Sequence, residues 1–200
     1  MGNKNERKRF LLVIFFALLS GLVTSAGAQE FNRGGRFEFF GTYQSMKGDT
    51  VTPYAFGTGA EFDNSAVYGF GLGFNLNDNF NLNTDFLFGS SEAEINTFWG
   101  PATVDTTLAL WNVNLDYIIL KERLSPFISG GIGFFNTYAD VWFDTIDETD
   151  FSYNYGAGIR WEATDNLFVK AMYRWTFIDF DDSDDTTRFE GLSISVGFMF

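Results

Sequence analysis

Large apolar side chains alternate with small or polar ones along most of the chain beyond residue 35. The last ten residues, from Gly191 to Phe200, show the pattern most clearly, because bulky residues occupy one parity and glycine or serine mostly occupies the other. Successive side chains of a strand point to opposite faces, so this alternation predicts a strand whose two faces meet different environments.

Seven further segments carry the same alternation, and we therefore predict eight strands. The other seven are Arg36–Met46, Ala66–Asn75, Phe80–Gly89, Thr107–Ile118, Phe127–Phe135, a strand through Gly158–Glu162, and Leu167–Phe177. Residues 71–80 align without a gap with residues 158–167. The alignment preserves both the turn and the parity, which indicates a repeated hairpin.

Four polar stretches, residues 47–65, 90–105, 136–150 and 179–188, alternate with short turns such as Asn77-Asp78-Asn79. Asparagine and aspartate favour tight turns between antiparallel strands. The chain therefore predicts long loops at one end of the sheet and tight turns at the other.

Composition supports an all-β chain of one domain. The 200 residues are 20% aromatic and include 21 Gly and 26 Phe, a mixture that favours strand over helix. The absence of Cys excludes a disulfide framework. The absence of His removes the commonest general base and transition-metal ligand, so we expect no enzyme activity, no metal site and no cofactor.

The first 28 residues have the pattern of a secretory signal peptide: four basic residues, an apolar run from Phe10 to Val23, and a cleavage site at Ala26-Gly27-Ala28. We predict a signal peptide at 1–28, a short lead at 29–35 and a barrel at 36–200. Cleavage would remove four basic residues and one acidic residue, and so would move the net charge from −13 to −16. An acidic exported chain is not expected to bind nucleic acid.

The apolar face of the strands could point inward, as in a soluble barrel, or outward to lipid. The inward arrangement would expose runs of glycine and bury more aromatic side chains than an eight-stranded barrel can hold. The outward arrangement fits strands of about ten residues that cross a hydrocarbon layer at a tilt. We therefore predict an eight-stranded antiparallel up-and-down transmembrane β-barrel.

With the apolar face outward, eight charged residues of the polar face would form a network inside the barrel. They are Arg36, Glu38, Asp85, Asp116, Arg160, Glu162, Lys170 and Arg174. Because each sign is represented four times, the charges can pair across a narrow interior, whereas they would be costly against lipid.

Several features occur together in this chain: the exported eight-strand pattern, the Gly-x-Gly strands, the Asp-Asn-Phe and Asp-Asn-Leu turns, the segment Ser-Pro-Phe-Ile-Ser-Gly-Gly-Ile-Gly and the terminal Phe200. With these features the chain resembles the small outer-membrane barrels of the OmpA-like and OmpX-like group and their opacity-protein relatives. The resemblance implies a bacterial outer-membrane protein with the lead and the short turns in the periplasm and four long loops outside. It also implies that Phe198 and Phe200 form the signal that the barrel-assembly machinery reads.

The four polar stretches contain −14 of the −16 net charge. We therefore expect a structural or surface-interaction role, in which acidic loops contact an extracellular ligand or a host surface, beside outer-membrane lipid and lipopolysaccharide. Candidate contacts for divalent cations are Asp179, Asp181, Asp182, Asp184 and Asp185, although Asp184 stands where an EF-hand needs glycine. The alternatives are a narrow, gated, porin-like conduit for small solutes and a soluble exported barrel that binds an apolar ligand.

Overall fold

The computed structural model contains eight long strands and one short strand within the residues that it describes. Their bounds are β1 Phe37–Gly48, β2 Ala60–Phe62, β3 Ser65–Asn75, β4 Phe80–Thr97, β5 Gly100–Ile118, β6 Leu124–Val141, β7 Asp144–Glu162, β8 Leu167–Asp179 and β9 Thr187–Met199. The structure describes residues 30–48, 60–62, 65–97, 100–141, 144–179 and 187–200, so the predicted signal peptide lies outside the described residues. Residues from Phe31 onward form one compact unit.

The eight long strands close into an antiparallel barrel. Each pairs with its neighbour in chain order, and β1 pairs with β9 to complete the circle. The predicted fold class is therefore confirmed. The short strand β2 was not predicted, since it lies within a polar stretch; it adds to the edge of β4, where Glu61 stands opposite Glu94.

The stagger of the strands sets the width of the barrel. Paired residues followed once around the sheet lead from Glu38 to Gly48, which is a shift of ten residues. With standard strand spacings, eight strands and this stagger give a tilt of about 40°. Such a barrel is narrow enough for side chains to fill.

The repeated hairpin predicted from the alignment forms two equivalent turns. Asn77 Oδ1 accepts hydrogen bonds from the backbone N–H groups of Asn79 and Phe80, at 2.8 and 2.9 Å. Thr164 Oγ1 does the same for Asn166 and Leu167, at 3.2 and 3.0 Å. Side-chain acceptors of this kind stabilise tight turns, which explains the shared spacing.

Two of the polar stretches are strands rather than long loops. β4 continues to Thr97 and β5 starts at Gly100, while β6 continues to Val141 and β7 starts at Asp144. Beyond a membrane a strand no longer needs an apolar face, and the backbone ladder continues through polar and β-branched residues. We call this side of the barrel the hairpin end, and the side with turns 76–79, 119–123 and 163–166 the turn end.

The outer face of the barrel is apolar and rich in aromatic rings. Phe86, Trp111 and Phe134 are cross-strand partners whose rings stack at centroid distances of 6.0 and 5.8 Å. Outward side chains remain exposed, as in Phe198, which is 60% exposed. An apolar surface of this extent suits hydrocarbon rather than water.

In the part of the chain that the structure describes, no helix is long and apolar enough to span a membrane.

Glycines on the inner face make room for bulky neighbours. Phe40, which breaks the polar parity of the first strand, lies between Gly71 and Gly197 in the sheet. A Cβ atom at Gly71 would lie 2.4 Å from the Phe40 ring, closer than packed atoms approach. The Phe40 ring also contacts Phe168 inside the barrel, at a centroid distance of 6.2 Å. Pairing small with large residues therefore lets the inner face hold aromatic rings.

Candidate functional site

The lumen contains ion pairs that join strands on different sides of the barrel. They are Arg160 on β7 with Glu38 on β1 at 2.7 Å, Lys170 on β8 with Asp116 on β5 at 3.2 Å, and Arg174 on β8 with Asp85 on β4 at 3.1 Å. All six side chains are 6% exposed or less. Such pairs contribute little net stability, but removing one partner leaves a costly buried charge.

A cluster of four charged side chains fills the turn end of the lumen. Arg160 bonds to both Glu38 and Glu162, and its guanidinium lies 4.4 Å from the centre of the Phe168 ring. Glu162 also accepts two hydrogen bonds from Arg33, one of them from Nη2 at 3.0 Å. Each carboxylate therefore faces at least one guanidinium.

Side-chain amides connect this cluster to the middle of the lumen. The successive donor–acceptor pairs are Asn75–Glu38 at 2.6 Å, Asn81–Asn75 at 3.1 Å, Asn83–Asn81 at 3.0 Å, Asn114–Asn83 at 3.3 Å and Asn114–Asp85 at 3.0 Å. The chain of bonds ends where Arg174 joins Asp85 to Gln44. Buried polar groups that bond to one another in this way hold one another in place.

An apolar cluster, which we call the apolar ring, closes the lumen toward the hairpin end. Its buried members are Met46, Val67, Leu87, Leu108, Leu110, Phe135, Ile178 and Phe189. Phe135 on β6 stacks on Phe189 on β9 at a centroid distance of 5.8 Å, although two strands separate β6 from β9. Direct contact between rings on distant walls fills the bore at this level.

The structure brings seven of the eight charged residues predicted for the lumen into its interior. Arg36 is the exception, because it precedes β1, is only half-buried, and donates to the carbonyl oxygen of Met199 at the turn end. Phe198 and Phe200 face outward, and Phe200 exchanges two backbone hydrogen bonds with Phe37 at the seam between β1 and β9.

Of the candidate cation contacts, Asp179 is exposed at the end of β8, while Asp181, Asp182, Asp184 and Asp185 lie outside the described residues. The described side chains include no group of three or more His, Cys, Asp or Glu residues that could hold a metal ion.

Arg33 and the apolar ring were not predicted as parts of the lumen. Arg33 lies in a segment without any periodicity, so nothing in the sequence places it inside. The ring does leave a signal: at Phe86-Leu87-Phe88 and Leu108-Ala109-Leu110-Trp111 the chain is apolar at both parities. Such runs occur where one face meets lipid and the other closes the lumen.

Outside the membrane-crossing strands, the surroundings of Asp78 lower the pKa of its carboxyl group. A hydrogen bond from Lys121, at 3.1 Å, holds the pKa of Asp78 below its ordinary value, and backbone N–H donors from Gly34 and Arg33 act in the same direction against partial burial. Asp78 is therefore ionised at neutral pH and links the first turn to the second.

Comparison with known proteins agrees with this geometry. The structure of Neisserial surface protein A aligns with a TM-score of 0.65 at 15% identity, over 83% of this chain and 99% of that one. OprG from Pseudomonas aeruginosa aligns at 0.61 and 11% identity, over 86% and 98%. Ail of Yersinia pestis aligns at 0.54 and 15% identity, over 84% and 99%. At such identities the likeness is one of fold. No curated protein matches the chain.

The model of the outer membrane protein beta-barrel domain family matches residues 14–200, which is nearly the whole chain. The apolar outer face, the polar interior and the closed eight-stranded sheet are those of a barrel that crosses a membrane. The chain therefore belongs to the outer membrane protein β-barrel domain family and is a small eight-stranded barrel of the bacterial outer membrane.

Proposed function

We propose that this protein serves the outer membrane as a surface-interaction protein without enzyme activity, with its turn end in the periplasm and its hairpin end outside. Outer-membrane lipid, including lipopolysaccharide, would surround the apolar band, and the barrel-assembly machinery would read the strand that ends at Phe200. The observation behind the proposal is a filled lumen beneath strand hairpins that extend well beyond the apolar band.

The filled lumen leaves the hairpin end as the surface available to a partner. The last outward aromatic residue of β4 is Phe88, and the strand continues to Thr97. Nine residues of a tilted strand rise about 20 Å. A paired sheet of this height would place its outer residues above the lipid headgroups, where a macromolecule can reach them.

Charge favours a cationic partner. In the register of the hairpins, Glu61 stands opposite Glu94 and Glu92 stands opposite Asp105. Acidic residues at opposite register positions concentrate negative charge along this part of the sheet, and a cationic partner would offset it. Ail has also been solved with a heparin analogue, sucrose octasulfate. We expect the opposite preference here, because the polar stretches contain −14 of the predicted −16 net charge of the mature chain.

The test is binding of the refolded protein in neutral lipid vesicles to polylysine and to sucrose octasulfate. We expect salt-sensitive binding of polylysine, weakened in a variant with Glu92→Gln, Glu94→Gln and Asp105→Asn, and no binding of the octasulfate. The matched control is Asp165→Asn, which removes one exposed acidic residue at the turn end. Binding of the octasulfate, or polylysine binding unchanged by the triple substitution, would contradict the proposal.

A narrow conduit for small solutes is the second candidate. It is favoured by buried polar atoms without a hydrogen-bond partner within the described structure, among them Arg174 Nε, Ser193 Oγ and Asn154 Oδ1 on the wall formed by β7 to β9. Such atoms need water in place of a protein partner. Passage would still require breaking the Arg174–Asp85 pair and separating the stacked rings of the apolar ring, so we rank this function second.

A further inference from the structure

The segment that precedes β1 crosses the turn end of the barrel. Within the predicted lead, residues 31–35 belong to the same compact unit as the barrel. The N–H of Phe31 donates to the carbonyl oxygen of Lys121 at 2.7 Å, the N–H of Arg33 donates to Asp78 at 3.1 Å, and the N–H of Gly35 donates to the carbonyl oxygen of Asn75 at 2.8 Å. The lead is therefore attached to the end of β3 and to the first two turns, so it crosses the opening of the barrel at the turn end, which we call the mouth.

Arg33 inserts from the lead into a set of acceptors that belongs to the barrel. Its Nε and Nη2 bond to the two carboxylate oxygens of Glu162, which is the bidentate geometry that a guanidinium favours. The remaining acceptors are the carbonyl oxygens of Asp78, Leu120 and Glu122 and the hydroxyl of Ser125. The side chain is completely buried.

A guanidinium fits this site better than an ammonium does. The acceptors engage Nε, Nη1 and Nη2 at once, and a lysine would offer only three donors from a single atom. The ring of Phe31 lies 5.5 Å from the Arg33 guanidinium and 5.1 Å from that of Arg123, and so contributes favourable contact with both cations.

The lead is joined to the barrel by a pair of glycines. Gly35 has a φ of 78°, a left-handed conformation that glycine adopts without strain. The pairing of β1 with β3 and β9 begins only after Gly35, so a change at Arg33 leaves this pairing in place. The acceptors would remain, since Glu162 and Ser125 lie on β7 and β6.

We propose that the mouth at the turn end is a guanidinium-binding site, that the lead plugs it with Arg33 as the resident occupant, and that a small guanidinium compound can take the place of the Arg33 side chain once that side chain is removed. The inference does not depend on the surface role of the hairpins. Removing the Arg33 side chain takes a donor from the carbonyl oxygens of Asp78, Leu120 and Glu122 and two donors from Glu162. The single hydroxyl proton of Ser125 can serve only one of the Leu120 and Glu122 carbonyls at a time, so the empty site should take up a cation of matching shape.

The first test is chemical rescue of Arg33→Ala in lipid vesicles. We expect a lower midpoint of thermal unfolding, raised again by millimolar ethylguanidinium and not by ethylammonium, while the wild type responds to neither. Arg33→Lys should be destabilised and should not be rescued. An Arg33→Ala protein that ethylguanidinium does not stabilise more than the wild type, or that both cations stabilise equally, would overturn the proposal.

The second test measures occupancy directly and does not depend on the size of the stability change. The chain has no cysteine, so Ser125→Cys places a single thiol beneath Arg33. We expect a maleimide to label this thiol at least about tenfold faster when Arg33 is also alanine, and ethylguanidinium to restore protection. Lys121→Cys, exposed on the adjacent turn, controls for access of the reagent. Equal labelling with and without Arg33 would contradict the plug.

Discussion

Replacing Arg160 with methionine tests the cost of leaving a carboxylate of the lumen without its ion pair. Arg160 bonds to Glu38 at 2.7 Å and to Glu162 at 2.6 Å, and all three side chains are completely buried. Methionine keeps most of the apolar stem of the side chain but removes the guanidinium and its charge. Glu162 would retain Arg33, whereas Glu38 would keep the amide of Asn75 as its remaining bonded donor within the described structure.

We expect Arg160→Met to lower the free energy of unfolding by about 3–5 kcal/mol, because it leaves a buried carboxylate without its ion pair. Adding Glu38→Gln removes that charge and should recover a large part of the loss. The control is Asp165→Asn, which breaks the surface ion pair of Asp165 with Arg123, where Asp165 is 76% exposed, and leaves Arg123 beside the Phe31 ring. An exposed pair of this kind contributes at most about 1 kcal/mol.

Urea-induced unfolding in lipid vesicles, followed by tryptophan fluorescence, measures all four proteins. The reasoning would be refuted if Arg160→Met and Asp165→Asn were destabilised equally. It would also fail if Glu38→Gln made the Arg160→Met protein still less stable, since the loss would then not come from an unpaired carboxylate.

Three further predictions concern packing, assembly and pH. Gly197→Ala should lower the free energy of unfolding by about 1–3 kcal/mol, because its Cβ would lie 2.5 Å from the Cβ of Phe40. Gly130→Ala, whose Cβ would have its nearest atom at 4.0 Å, should leave the free energy of unfolding unchanged in the same urea titration. Deleting Phe200 should reduce the amount of protein recovered in the outer-membrane fraction, and unchanged recovery would contradict its role as an assembly signal. Ionised Asp78 should stabilise the fold fully above its ordinary pKa of 3.8, and this contribution should be lost as the pH falls through the lower pKa of the folded state. Asp78→Asn should therefore flatten the pH dependence of the unfolding midpoint in that acidic range.

The strands and their orientation were predictable because a strand has a period of two and a membrane separates its faces sharply. Lys170 and Arg174 share a parity along β8, and this alone places both inside once the apolar parity faces lipid. The repeated turn was predictable for a similar reason, since the aligned residues Asn77 and Thr164 provide the same acceptor.

The strands at the hairpin end and the position of the lead could not be predicted from the sequence in this way. Where β4 and β5 continue beyond their apolar residues, the alternation that identifies a strand disappears although the backbone pairing continues, because a strand outside hydrocarbon needs no apolar face. The position of Arg33 depends on acceptors from residues 78, 120, 122, 125 and 162, which come together only after the barrel closes. No local pattern around Arg33 encodes that convergence.

Conductance across planar lipid bilayers tests the filled lumen most directly. We predict that the refolded wild-type protein gives no current above that of the lipid alone, because the Arg33 site, the Arg174–Asp85 pair and the stacked rings of Phe135 and Phe189 close the bore at three levels. Arg174→Ala should also be silent, since the other two closures remain. Stable, reproducible channel openings by the wild-type protein would contradict a lumen closed by its own side chains.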